Sequence, residues 1–174
     1  MAAKEDQPYT TEDPRFPATS LRASPLRAPL RGAALAAGLL ENACTPGSGD
    51  PLQLKIVRVL ARGLKEELET LVGLAHEEPG AAQVEGVEGA LRAADVANLA
   101  ACAAPELLEA RAPEAAAAAY LATGALRALS SLIEADVEDS HERQVSYALK
   151  DARGAAWRAR LATRQVDEFL NDEG

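Results

Sequence analysis

From Val57 to Ala75 the apolar residues Val57, Leu60, Leu64, Leu68, Leu71 and Ala75 recur at steps of three and four. That spacing places them on one face of an α-helix of about seven turns. Asp50-Pro51-x-Gln53 marks its start. An aspartate caps free amide groups, a proline suits the first helical position, and a glutamine belongs two places further on as a capping partner. Glu78-Pro79-Gly80 ends the helix, and its opposite face carries Lys65, Glu66 and Glu69.

The rest of the chain reads the same way. Pro29–Ala43 predicts a first, shorter helix, stopped by the loop Thr45-Pro46-Gly47-Ser48-Gly49. Ala81–Ala104 predicts a third, with Val84, Val87, Leu91, Ala94 and Cys102 turned inward. Gly86 and Gly89 either weaken that helix or let a neighbour come close. Pro105–Arg111 predicts a short helical piece, and Pro113–Ala135 a fourth long helix. The run Ala115–Ala119 has high helix propensity but little bulk, so that half of the helix must lie near a neighbour. Its other half buries Leu121, Leu129 and Leu132 or Ile133. Asp136–Asp139 predicts an acidic connector, and Ser140 caps a last helix running to about Leu170.

Long helices joined by short Pro/Gly breaks predict an all-α fold, an antiparallel bundle of four to five long helices. The bundle is one domain over residues 29–170. Residues 1–28 predict a disordered tail. They contain Pro8, Pro14, Pro17 and Pro25 and few large apolar groups, too little to offset the entropy of ordering. From Arg15 to Arg31 this region has four arginines and no acid, so it reads as a solvated leader or as a docking tail for an acidic surface. No period of 20–50 residues suggests a solenoid.

Composition agrees with helices. The chain has 39 alanines and 24 leucines against nine valines and two isoleucines, and aromatics make up only 3%. Strands want the residues that are scarce here. The net charge of −9 disfavours general nucleic-acid binding, which leaves a basic footprint. Cys44 and Cys102 are too few for a disulfide framework and read as free thiols. No uninterrupted apolar run reaches the ~18 residues of a membrane helix. Ala33–Leu40 makes a poor export signal, because its leader is long and contains acids. A cytoplasmic protein without membrane attachment is expected.

Candidate chemistry is thin. Glu138-Asp139-Ser140-His141 spells E-x-x-H, a motif that carboxylate-bridged metal bundles use in pairs. Here it occurs once. His76 and His141 both fall at expected helix ends, and with Asp136 or Glu138 they make a weak candidate set for a divalent metal. Neither cysteine has a histidine near it in sequence, Gly47-Ser48-Gly49 lacks the frame of a phosphate loop, and no zinc spacing exists. No catalytic residue, cofactor or cofactor-binding residue is predicted.

The last helix is the most informative segment. At 100° per residue, Val145, Leu149, Ala152, Ala156, Val166 and Leu170 form its core stripe. Tyr147, Trp157 and Leu161 form a second apolar stripe nearly opposite, with Phe169 further round. Arg143, Lys150, Arg153, Arg160 and Arg164 run beside it, so Arg143–Arg164 holds six basic residues and one acid, Asp151. Three readings follow. The helix is sandwiched within its own bundle and its arginines complement glutamates elsewhere in the chain; or Tyr147, Trp157 and Leu161 centre a protein contact rimmed by arginines such as Arg153, Arg160 and Arg164; or the basic face binds phosphate or nucleic acid. Trp, Tyr and Arg are the types enriched at binding hot spots, which favours a contact over phosphate binding. The expected function is therefore a non-enzymatic interaction protein, self-associating as a homodimer or docking a protein partner through its last helix. The alternative is a helical bundle that binds a small molecule or a divalent metal, or an enzyme of that kind.

Overall fold

The computed structural model describes residues 25–49, 51–75, 82–139 and 143–172. The expected cap Asp50, the stop Glu78-Pro79-Gly80, the cap Ser140 and residues 1–24 lie outside them. Five helices pack on one another: α1 (Arg27–Ala43), α2 (Pro51–Leu74), α3 (Ala82–Ala103), α4 (Ala112–Asp139) and α5 (Arg143–Asp172). Among the described residues there is no strand, only one isolated bridge between Gly49 and Leu107. The all-α bundle read from the periodicity is the fold.

α3 occupies the centre and touches all four other helices, most extensively α4. Its inward face is built from small residues: Ala90, Ala93, Ala94, Ala97, Ala100 and Ala103 are buried. Gly86 and Gly89 belong to the same face. A Cβ at Gly86 would lie 3.3 Å from Ile133 Cγ1 and 3.4 Å from Leu26 Cδ2. A Cβ at Gly89 would collide with the fully buried Leu30 and come within 3.4 Å of Leu129 Cδ1. The leucines and isoleucine of α1 and α4 thus fill the room that α3 leaves. These neighbours also fix direction. Gly86 beside Ile133 and Gly89 beside Leu129 set α3 antiparallel to α4, while Gly86 beside Leu26 and Gly89 beside Leu30 set it parallel to α1.

This packing corrects part of the inward set expected for α3: Ala94 is buried and Leu91 packs against the core, but the others do not follow. Val84 and Cys102 are exposed, and Val87 and Leu91 are only half-buried. The expectation followed the bulkiest residues. At the centre of a bundle, close approach selects the smallest ones instead. On α2, Val57, Leu68, Leu71 and Ala75 are buried and Leu64 packs against the core, as the stripe predicts, but Leu60 is exposed. Leu54 and Ala61 take the remaining core positions.

Arginine–carboxylate pairs cross four helix seams. Arg62 donates to Glu41 at 2.8 Å between α2 and α1, and this hydrogen bond holds the Glu41 carboxyl below its ordinary range. Arg92 meets Glu67 between α3 and α2. Arg158 donates to Asp95 at 3.3 Å between α5 and α3, and Arg153 lies 3.6 Å from Glu134 between α5 and α4. Exposed pairs of this kind contribute little to stability; here they mark which seam faces which.

At one end of the bundle the α1–α2 loop is tied to the α3–α4 connection. The amide of Leu108 donates to Ser48 O at 2.6 Å, and Arg111 donates to both Glu114 and Thr45 Oγ1. A side chain at Gly49 would run into the Glu106 carbonyl, so only glycine fits there. The short helical piece expected over Pro105–Arg111 shrinks to one 3-10 turn, Ala104–Glu106, because Leu107 turns extended to make the bridge with Gly49. Two further boundaries differ. α1 begins at Arg27 rather than Pro29, with Leu26 buried ahead of it. Asp136–Asp139 is the end of α4 rather than a connector, since no proline or glycine interrupts the helix there.

Gly89→Val is expected to destabilise the bundle by about 1–3 kcal/mol through overpacking. Gly124→Ala, whose methyl meets nothing within 4 Å, should be neutral or stabilising by up to about 1 kcal/mol. Urea unfolding of both variants reads the difference, and equal midpoints would contradict close packing at α3.

Candidate functional site

α5 packs on α3 and α4, and among the described residues no other helix covers its outer side. Ala152, Ala155, Ala159, Ala162 and Val166 make its buried face. Of the core stripe read from the sequence, Ala152 and Val166 are buried, Leu149 and Ala156 are half-buried, and Leu170 is exposed near the helix end. The side chain of Val145 lies outside the described residues. Burial follows Ala155, Ala159 and Ala162 instead, for the reason that governs α3: small faces let helices approach.

The second stripe points outward. Tyr147 is 72% exposed, Trp157 64% and Leu161 40%. Phe169 leaves that group and packs, half-buried, against the core. Arg153, Arg160 and Arg164 are exposed on the same outer side, and Arg164 pairs with Glu168 one turn on at 2.8 Å. Arg158 faces the opposite flank, where Asp95 engages it. The basic row therefore divides. Some arginines join seams and helix pairs within the bundle. No carboxylate among the described residues pairs with Arg160.

Beside Trp157 the α4–α5 seam opens into a groove of about 510 Å³. α4 contributes Arg127, Ser130, Ser131 and Glu134, and α5 contributes Arg153, Ala156, Trp157 and Arg160. Both sets are spaced i, i+3, i+4, i+7, which is one helix face each. Further along the seam Thr123 and Thr163 share a hydrogen bond of 2.8 Å, and Tyr120 donates to Asp167. That bond keeps the Tyr120 proton in place and raises its pKa. Three arginines against one glutamate make the groove cationic in a chain of net charge −9. Arg127, like Arg160, has no carboxylate partner among the described residues, and the buried Ser130 hydroxyl has no hydrogen-bond partner there. An anionic group entering the groove would meet two free guanidinium groups and a hydroxyl next to an indole face.

The α4 half of this groove escaped the reading of the sequence. Leucine and alanine dominate the pattern of α4. The set Arg127, Ser130, Ser131 and Glu134 carries the same four-residue spacing, and that was the available signal.

The candidate metal set falls largely outside the described residues. Asp136 and Glu138 fall in the last turn of α4, while His76 and His141 lie outside the described residues. Among the described residues no group of three or more His, Cys, Asp or Glu side chains is placed to hold a metal ion. Ala112–Ala135 of α4 is long and apolar enough to cross a membrane by length and composition; it packs against α1, α3 and α5 with half of its most apolar stretch buried. No protein-family model and no curated protein matches this chain.

The two cysteines are free and differ in environment. Cys44 is buried at the loop end of α1, where desolvation pushes its thiol up to about 11 against a weaker opposing pull from Arg58. At pH 8 that leaves about one thiol in a thousand ionised. Cys102 is exposed on α3. Alkylation of the folded protein should modify Cys102 promptly and Cys44 only after unfolding, as peptide mapping would show. Comparable rates at the two sites would contradict the burial of Cys44.

Proposed function

We propose that this chain is a non-enzymatic interaction protein that docks a protein partner through the outer face of α5, and that the partner brings acidic groups to the α4–α5 groove. One observation carries the reading: the only tryptophan, Trp157, stands exposed beside a groove that holds three arginines. A large amphipathic side chain left in water is a natural anchor for a binding partner. Tyr147 and Leu161 extend the apolar patch along the helix. Arg127, Arg153 and Arg160 supply the charge that steers and orients an anionic surface. Arg164 sits at the edge of this patch, its charge already shared with Glu168.

The groove also bears on the choice of partner. Its arginines repel a face of like charge, so an acidic partner fits it better than a second copy of α5 does. Phosphate-bearing ligands share the negative charge but offer nothing to the apolar stripe.

The double variant Trp157→Ala/Leu161→Ala tests this reading. Both side chains lie outside the core, so helix content should hold and the melting temperature should fall little. Proteins recovered specifically with the wild-type chain from native extract should be lost with the variant, and raising the salt concentration should release them from the wild type. Unchanged recovery by the variant would sink the proposal. Release insensitive to salt would remove its electrostatic half.

A further inference from the structure

α2 forms the opposite border of the bundle, packed on α1 and more lightly on α3. Its outer surface is unusually apolar. Leu52 is 69% exposed, Ile56 54% and Val59 62%, and Leu60 and Leu74 are exposed as well. At 100° per residue, Leu52, Ile56, Val59 and Gly63 fall within an arc of about 60°. The arc lies on the side away from Leu54, Val57, Ala61 and Leu68, which face the core. Single exposed aliphatic residues are ordinary, but a contiguous stripe of them along one edge helix marks a surface that another chain covers.

The charges along α2 identify that chain. Lys55, Arg58, Arg62 and Lys65 come first, followed by Glu66, Glu67 and Glu69. The helix is basic in its first half and acidic in its second. A parallel copy would oppose like charges. An antiparallel copy sets the basic half of each helix against the acidic half of the other, around an apolar centre. Arg62 pairs with Glu41 and Glu67 with Arg92, and the half-buried Arg58 and Lys65 also lie toward α1. Lys55 and Glu66 stand apart: both are exposed, they lie on the same flank of the stripe, and neither has an ion-pair partner among the described residues. In an antiparallel pair centred near Leu60, the Lys55 of each chain stands opposite the Glu66 of the other.

We propose that the outer face of α2 is a self-association surface, where two copies of this chain pair through antiparallel α2 helices about a two-fold axis. Such an interface is self-complementary, the common form of closed dimers. α2 and α5 border the bundle on different sides of α3, so the pair leaves both α5 faces open and displays two docking sites at once. The pairing does not depend on what α5 binds.

Sedimentation of the full chain over a range of concentrations tests it. The wild type is expected to dimerise reversibly. Lys55→Glu alone and Glu66→Lys alone each place like charges across the pair, and each should weaken self-association by about tenfold or more. Mixing the two single variants should restore dimers as mixed pairs, since each then meets an opposite charge. Ile56→Glu/Val59→Glu should be monomeric with unchanged helix content. Trp157→Ala/Leu161→Ala should dimerise like the wild type, whatever it does to partner binding. A wild type that stays monomeric at every concentration overturns the proposal. So does a dimer that survives Ile56→Glu/Val59→Glu, a mixture of the charge variants that forms no mixed pairs, or a dimer lost in Trp157→Ala/Leu161→Ala.

Discussion

Close approach of helices at α3 is the constraint on which the rest of the molecule depends. A helix with four neighbours has almost no room for large side chains, and α3 meets that condition with glycine and alanine along its inward side. Val96 is the large side chain that α3 itself buries, and most of the remaining bulk comes from its neighbours. Leu30 and Leu40 of α1, Leu68 of α2, and Leu126, Leu129 and Ile133 of α4 are fully buried. Leu30 lies so close over Gly89 that the two residues define each other's space. With packing this tight, a methyl group gained or lost is felt, because its neighbours cannot shift independently.

The same constraint explains what remains outside. α5 also meets its neighbours mostly through alanines, with Val166 buried and Phe169 half-buried toward one end. Tyr147, Trp157 and Leu161 stay on the surface, and the arginines divide between the seams and the open groove. α2 meets the bundle on one side only and leaves Leu52, Ile56 and Val59 in water. The two border helices therefore carry different surfaces, one aromatic and cationic, the other aliphatic and polar at its two ends in charge. A bundle held together by small residues in this way leaves its large ones free for contacts with other chains.

Helices and their order were legible in the sequence, because proline and glycine punctuate the chain and leucine recurs at helical steps. α2 was read well on Val57, Leu68 and Leu71. α3 was read poorly. Val84 and Cys102 suggest core by hydrophobicity, yet hydrophobicity does not report how near a neighbouring helix comes; the inward side of α3 is mostly alanine and glycine, with Val96 buried among them. The outward stripe of α5 was legible because Trp157 and Tyr147 are rare residue types on a face opposite the alanines. Its groove was not, since Arg127 and Ser130 acquire their meaning only when α4 lies antiparallel beside α5. The ladder of Tyr120 with Asp167, Thr123 with Thr163 and Glu134 with Arg153 marks that register.

Collisional quenching of the single tryptophan tests most directly whether α5 presents an open, cationic face. Trp157 is the only indole in the chain, so its fluorescence reports on one site. Iodide and caesium ions probe the same exposure with opposite charge. With Arg127, Arg153 and Arg160 around it, Trp157 should be quenched strongly by iodide and weakly by caesium, and Arg127→Ala/Arg160→Ala should narrow the gap. A tryptophan that neither ion reaches, or one that caesium quenches as well as iodide does, would contradict the exposed and cationic α5 face.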